Sequence, residues 1–360
     1  MTVESSGEPR QKTKESKPLL ILGSGRSSPV PGWAARLLLA VGTFGLCMAL
    51  LEGVLRCTKE PPWKPDTVPF RVEPGGKLYE DDPLLGYRLK PGRFTVFMAD
   101  GFPVETTHGP DGERATAETS GPAGRPEIWI FGCSYTYGWS VQDRETFPWL
   151  LQEAMPGKRI HNFGVPGYGD LPGLLRMRTE LQKGKKPAMV VLAYASFHDE
   201  RNAGLRRWQK TLIRPRGDNL GPQAQPRARL DAAGNLKIAE RPEALREIPG
   251  MRTWSIPHSI EKRWNRIEAN AVPVVEISRK VIERMSQEAG AAGAGFLLAG
   301  IENDKKTRAM LDWWRAQGGQ AVDLSVDLDG KDLRNHPHDV HPGPKAQRMY
   351  AEKLGTALKS

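Results

Sequence analysis

Hydrophobic positions fall into three regimes along the chain. The first is one long apolar block. Leu37 to Leu51 (LLLAVGTFGLCMALL) carries no charge, Glu52 interrupts it, and Gly53, Val54 and Leu55 extend it. A helix over 37–55 rises about 28 Å, enough to cross the hydrocarbon core of a bilayer. The second regime is broken and short. Residues 58–75 are Pro-rich and read as an extended linker. Gly86–Leu89 and Phe94–Met98 have strand character and are cut off by Pro91-Gly92 and Asp100-Gly101, which predicts a small β-rich preface. Residues 109–126 read as a polar loop.

The third regime starts at 127, where apolar runs of strand length alternate with segments of helical period. Strands are predicted at 128–131, 160–163, 189–194, 295–300 and 320–324, and helices at 146–155, 171–181, 272–288, 306–316 and 344–358. Continuous apolar strands mark a sheet covered on both faces. The alternation predicts an α/β fold with a doubly wound, mainly parallel, flavodoxin-like three-layer sheet. Residues 204–258 interrupt it. They are rich in Arg, Pro and Gly, and read as a partly ordered insertion at the C-terminal edge of the strands. The resulting organisation is a basic tail over 1–36, a transmembrane helix over 37–55, linker and preface over 56–126, and the α/β domain over 127–358 with the insertion 204–258.

Composition narrows the classes. The chain has 360 residues, 39% hydrophobic and 26% charged, with a mean hydropathy of −0.50. That excludes a disordered polymer and a polytopic membrane protein. The net charge is +10, yet no run of five basic residues and no zinc-finger, RNP-type or helix-turn-helix pattern occurs, so no nucleic-acid partner is expected. The cationic surface suits water, or alternatively anionic lipid or polysaccharide. Cys47, Cys57 and Cys133 form no CxxC pair and no disulfide framework. Arg10, Lys12, Lys14, Lys17, Arg26 and Arg36 precede the apolar block, against Arg56, Lys59 and Lys64 soon after it. The positive-inside rule puts the N-terminus in the cytoplasm and the C-terminal domain outside, as a single-pass protein of the cytoplasmic membrane. The exit, Glu52-Gly53-Val54-Leu55-Arg56-Cys57, lacks the small residues that cleavage or lipidation needs. An uncleaved anchor is the reading favoured over a cleaved signal or a buried helix.

In an open α/β sheet, ligands bind beyond the carboxyl ends of the strands. After the first strand comes Gly132-Cys133-Ser134-Tyr135-Thr136-Tyr137-Gly138. A Ser on such a turn can expose its Oγ; the plainer alternative is a serine capping the next helix. Asn162–Gly169 follows the second strand with three glycines, and Ser196–Asn202 follows the third with a dense polar cluster. Before the last helix comes His336-Pro337-His338-Asp339-Val340-His341-Pro342. A nucleophilic serine needs a base and the base an orienting carboxylate, and Asp339 and His341 are the obvious pair. The same His and Asp residues could alternatively form a metal cluster. His108, His161 and His258 have no companions and read as structural or surface residues. Trp313-Trp314 fits a helix packing face.

Together these segments resemble the SGNH, or GDSL-type, hydrolase superfamily, in particular its membrane-anchored bacterial envelope proteins. Phe131–Ser134 is similar to the first block of that family, which implies Ser134 as nucleophile, with Cys133 where many members have Asp. Asn162–Gly167 resembles the second block, implying Gly167 as the oxyanion-hole glycine. Asp339–Pro342 resembles the fifth, implying His341 as base and Asp339 as its partner, although the Asp stands two residues before the His rather than three. In the third block His198 occupies the place of the usual Asn, with Asn202 as the other candidate oxyanion donor. The resemblance implies a serine esterase without metal or other cofactor. It would act on acyl esters, with envelope or extracellular polysaccharide as the expected carrier. The alternatives are a polysaccharide O-acyltransferase using the same triad and a non-catalytic carbohydrate-binding or assembly protein.

Overall fold

The computed structural model describes residues 31–66, 70–118, 124–213 and 224–359. The tail residues Arg10, Lys12, Lys14, Lys17 and Arg26, part of the 109–126 loop and part of the 204–258 insertion lie outside them. The contacts divide the chain into two units, 1–54 and 55–360. Through the first runs helix α1 (Gly32–Cys57), longer at both ends than 37–55 and apolar enough to cross a membrane.

The second unit opens with the preface: β1 (Arg71–Glu73), β2 (Tyr79–Asp82), β3 (Gly86–Leu89), β4 (Gly92–Phe97) and β5 (Pro103–His108). β4 pairs antiparallel with β1 and β5, and β2 with β3. The main alternation follows: β6 (Glu127–Gly132), α2 (Ser134–Tyr137), a 3-10 turn at Asp143–Glu145, α3 (Phe147–Ala154), β7 (Arg159–Gly164), α4 (Asp170–Gln182) and β8 (Met189–Tyr194). Then come α5 (His198–Ala203), α6 (Arg206–Leu212), the hairpin β9 (Ala228–Leu230) and β10 (Leu236–Ile238), and α7 (Ser255–Ala271). The chain closes with α8 (Val274–Ala291), β11 (Gly295–Gly300), α9 (Lys305–Ala316), β12 (Gln320–Asp323) and α10 (Pro344–Ala357). Helix α7 has no counterpart among the sequence expectations. Thr146 is not a helix residue but the N-cap of α3, its hydroxyl accepting from Trp149 N.

The central sheet has the order β12-β11-β8-β6-β7, with every pair parallel. This is the doubly wound arrangement. The chain goes from β6 outward to β7 and then back to β8 on the other side, so the switch point lies between β6 and β8. Strand side chains alternate between two cores. Trp129, Phe131, Val190, Leu192 and Leu298 pack with Leu171, Leu174 of α4 and Ile277, Val281 of α8. Ile128, Ile130, Val191, Ala193 and Leu297 pack with Phe147, Leu151 of α3 and Tyr350, Leu354 of α10. Trp314 of α9 packs edge-on against Phe296, a core role as expected.

One residue of the 109–126 loop joins preface, sheet and switch point. Arg114 donates its backbone N–H to Asn162 O of β7 at 3.0 Å and bridges to His108 of β5. Its buried guanidinium donates to the Asp143 carboxylate at 2.9 Å and to the carbonyls of Tyr137 at 2.8 Å, Val141 at 2.8 Å and Gly138. It also lies over the Tyr137 ring at 4.4 Å. Replacing it leaves buried carbonyls unpaired. Arg114→Met is therefore expected to lower unfolding stability by about 3–5 kcal/mol in urea titration followed by tryptophan fluorescence. A loss below about 1 kcal/mol, the worth of an ordinary surface pair, contradicts this account.

Candidate active site

Ser134 is the first residue of α2, separated from the end of β6 only by the N-cap Cys133, so its N–H has no acceptor inside the helix. A four-residue helix does not hold itself. It is held from three sides. Arg114 takes the carbonyls behind it. Gln347 of α10 donates to Tyr135 O at 3.1 Å while accepting from Phe147 N at 2.9 Å. Below, α2 packs against the end of β7, where a Cβ on Gly164 would lie 2.4 Å from Tyr137 N, so only glycine admits this approach.

His341 and Asp339 come from a loop closed on itself between β12 and α10. Asn335 N donates to His341 O at 2.9 Å, Asp339 N to Asn335 O at 3.0 Å and Gly343 N to Leu333 O at 2.8 Å. The loop is tied to the turn after α2 through Asn335 Nδ2 and Ser140 O. This brings His341 Nε2 to 3.0 Å from Ser134 Oγ. His341 Nδ1 hydrogen-bonds Asp339 Oδ1, which also accepts the His341 backbone N–H at 2.7 Å. Burial works to raise the Asp339 pKa, but the hydrogen bonds from His341 and Trp139 outweigh it and hold the carboxyl below its ordinary value. Nδ1 facing a carboxylate leaves Nε2 free to accept the serine proton. His338 turns elsewhere, bonding Asp100 at 2.6 Å and stacking on Phe102 at 3.8 Å. Among the described residues no three His, Cys, Asp or Glu side chains gather as metal ligands.

Gly167 lies in the loop after β7, and Val165 N–H reaches back to Gly132 O at 3.1 Å, so this loop and the serine turn leave neighbouring strands side by side. Its φ of +85° and its approach to Tyr87, whose hydroxyl would sit 2.5 Å from a Cβ, call for glycine. The carbonyls of Pro166, Gly167 and Tyr168 are each engaged from outside the loop. Tyr87 Oη donates to Pro166 O at 2.8 Å, Gln225 Nε2 to Gly167 O at 2.9 Å and Arg201 Nη1 to Tyr168 O at 2.9 Å. In a trans peptide the N–H points opposite to the C=O. Tyr87 thereby aims the Gly167 N–H away from itself. Gln225 also accepts from Trp208 Nε1 at 2.8 Å, so part of the 204–258 insertion is fastened over this loop.

His198 and Asn202 sit differently from the sequence expectation. Asn202 is not free to face an oxyanion. Its Oδ1 accepts the N–H groups of Asp170 and Leu171 at 2.7 and 2.9 Å, and its Nδ2 donates to Asp170 Oδ2 at 2.7 Å and Ser278 Oγ at 2.9 Å. It caps α4, whose own N-cap, Gly169, has no side chain to do so. That missing cap is a signal visible in the sequence. His198 is fully buried, with Nδ1 on Asp170 Oδ1 at 2.8 Å and Nε2 without a well-formed hydrogen bond, in electrostatic contact with Cys133. Burial pulls its pKa down, but the Asp170 carboxylate and Cys133 outweigh this and raise it to about 9. The imidazole expected as an amide substitute is thus engaged elsewhere, paired with the Asp170 carboxylate beneath the serine turn. Of His108, His161 and His258, the first links the preface to Tyr137 at 2.9 Å, the second bonds Glu113 at 2.6 Å and the third Pro61 O at 2.6 Å.

A half-buried surface adjoins the serine. The Tyr135 ring meets those of His341 and Phe197 edge-on, both at 5.7 Å. The Arg201 guanidinium lies between Phe197 at 4.4 Å and Trp208 at 4.3 Å. Sequence reasoning singled out neither Tyr87, Gln225 nor the Arg201 sandwich, because each acts through a fold contact rather than a motif.

No protein-family model matches the chain, and no curated protein matches its sequence. Solved structures similar to it include TesA, 16% identical, covering 65% of this chain and 98% of that one with a TM-score of 0.38. Another is the psychrotrophic esterase EstA from Pseudoalteromonas sp., 14% identical over 65% and 96% of the two chains, TM-score 0.37. A third is a member of the lipolytic protein G-D-S-L family from Veillonella parvula DSM 2008, 10% identical over 63% and 95%, TM-score 0.35.

The His198–Asp170 pair makes stability depend on pH. The folded pKa lies above the ordinary value of about 6.5, so the pair's contribution is full below about 6.5. It is lost as pH rises through about 9. The wild type is expected to melt at lower temperature at pH 9 than at pH 6.5. His198→Asn should melt lower at pH 6.5 and lose most of that slope. An unchanged slope in His198→Asn contradicts the assignment.

Proposed function

We propose that the chain is a membrane-anchored serine esterase of SGNH type. It hydrolyses O-acyl esters, with envelope or extracellular polysaccharide as the carrier, and its domain lies outside the cytoplasmic membrane. The observation that carries the reading is the line Ser134 Oγ, His341 Nε2, His341 Nδ1, Asp339 Oδ1, with 3.0 Å between serine and histidine. In this mechanism His341 takes the Ser134 proton as Oγ attacks the ester carbonyl. The ionised Asp339 stabilises the imidazolium that forms. The oxyanion receives the backbone N–H groups of Ser134 and Gly167, without help from the side chains of His198 or Asn202. His341 then protonates the departing alcohol, and water repeats the cycle on the acyl-serine.

The polysaccharide carrier is supported by the half-buried rings of Tyr135, edge-on to His341, and of Phe197 beyond it, which offer apolar aromatic surface to a sugar ring beside the serine. The same surface would seat a sugar hydroxyl in place of water, which makes O-acyl transfer the second reading. Product analysis with and without a polysaccharide acceptor separates the two. The basic residues before α1, against fewer after it, support the cytoplasmic N-terminus.

A fluorophosphonate probe is expected to label the full chain once, at Ser134. Ser134→Ala should neither label nor hydrolyse short acyl esters, a loss of several orders of magnitude in kcat. An unlabelled wild type would favour a non-catalytic binding or assembly role. Tyr87→Phe releases the Pro166 carbonyl and with it the aim of the Gly167 N–H. It is expected to lower kcat about 10-fold or more with little change in KM. A change confined to KM would remove Gly167 from the oxyanion hole.

A further inference from the structure

The segment that leaves the apolar helix is stapled to the start of α7. Arg56 Nη2 donates to Thr253 O at 2.9 Å, Trp63 N to Met251 O at 2.8 Å and His258 Nδ1 to Pro61 O at 2.6 Å. Lys262 pairs with Glu60 at 2.5 Å, and Arg252 lies over the Trp63 ring at 5.1 Å. These residues all belong to the unit 55–360. Only five residues separate the end of α1 at Cys57 from Trp63, so the start of α7 cannot lie far from the point where α1 ends.

Helix α7 has two unlike sides. Its inner side carries Ser255 and Glu261, both fully buried, with Glu261 paired to Arg206 at 2.6 Å. Its outer side carries Ile260, Trp264 and Ile267, spaced i, i+4, i+7, and Trp254 precedes the helix. Each of the four is between 54% and 60% exposed. Such a row is costly to leave in water. Arg263 and Arg266 flank it, exposed, with no carboxylate at ion-pair distance among the described residues. An apolar stripe containing tryptophan, edged by unpaired arginines, is the composition of a helix lying in a bilayer interface.

We propose that α7 lies in the headgroup region of the bilayer that α1 enters. Trp254, Ile260, Trp264 and Ile267 are immersed, and Arg263 and Arg266 face anionic lipid phosphates. The inference rests on α1 spanning that membrane. With two attachments instead of one, the domain cannot swing freely about its linker, and the serine face keeps a set attitude to the membrane.

Spin labels on the full chain in vesicles of phosphatidylcholine and phosphatidylglycerol test this by accessibility to oxygen against a nickel chelate. Native Cys47, labelled in a Cys57→Ser background, reports on α1. Trp264→Cys and Ile267→Cys, each with Cys47 and Cys57 changed to Ser, report on α7. Asp329→Cys, at a side chain 87% exposed, serves as the aqueous reference. The expected result is an oxygen-to-nickel ratio several-fold above the reference at Cys47 and at both α7 sites. Arg263→Glu with Arg266→Glu should bring the Trp264→Cys ratio back towards the reference. Immersion at Cys47 with reference-like α7 labels would overturn the proposal and leave the anchor standing. A nickel-accessible Cys47 would overturn the anchor itself. Labels on α7 shielded from both reagents and broadened by spin–spin coupling would mean that a second copy covers the stripe, which also overturns it.

Discussion

The guanidinium of Arg114 enters the interior and spends its donors on the Asp143 carboxylate and on the carbonyls of Tyr137, Gly138 and Val141. A buried cation is tolerated where its hydrogen bonds are met, and here they are met by the turn that carries the nucleophile candidate. The four residues of α2 have too few internal hydrogen bonds to fix Ser134. Arg114 fixes their C-terminal end, Gln347 their middle, and Gly164 lets them rest on β7. The preface is therefore part of the site. Without β5 to position Arg114 and β3 to supply Tyr87, neither the serine turn nor the Gly167 loop would have its present backbone direction.

The rest of the geometry follows the same logic of carbonyls held from outside. Tyr87, Gln225 and Arg201 each take one carbonyl of the loop 166–168, drawn respectively from the preface, the insertion and α5. Behind the serine turn, Cys133, His198, Asp170, Asn202 and Ser278 form a buried polar chain that caps α4 and ties it to α5 and α8. In the proposed esterase, stabilising the oxyanion falls to backbone N–H groups, and the side chains that a motif would nominate work one layer deeper, on rigidity.

Much of the sheet was legible because the physics of a doubly covered strand is local. Trp129 and Phe131 on one face and Ile128 and Ile130 on the other leave a run with no polar position, and a run of that length bounded by glycine is a strand. Ser134, His341 and Asp339 stand out in the sequence because each lies at a strand end or just before the last helix, and the structure brings the three into one hydrogen-bonded line. His198 and Asn202 were misread because a motif register gives a residue's place in the chain but not the demands of its neighbours. The uncapped start of α4 claimed Asn202, and the buried Asp170 claimed His198. Arg114 sat in a stretch of Gly, Pro and charged residues that reads as solvent-exposed loop, and nothing local distinguishes a buried arginine there. Helix α7 was missed because it starts inside the Arg-, Pro- and Gly-rich insertion and carries Pro257 in its first turn, which reads locally as a break rather than as a helix start.

A crystal structure of the fluorophosphonate adduct tests the central claim most directly. The account predicts phosphorus bonded to Ser134 Oγ, with a phosphoryl oxygen about 2.7–3.1 Å from the N atoms of both Ser134 and Gly167. It also predicts that His198 stays on Asp170 and Asn202 on the first N–H groups of α4. An adduct whose oxygen is instead bound by a side chain of His198 or Asn202, displaced from those partners, would contradict it.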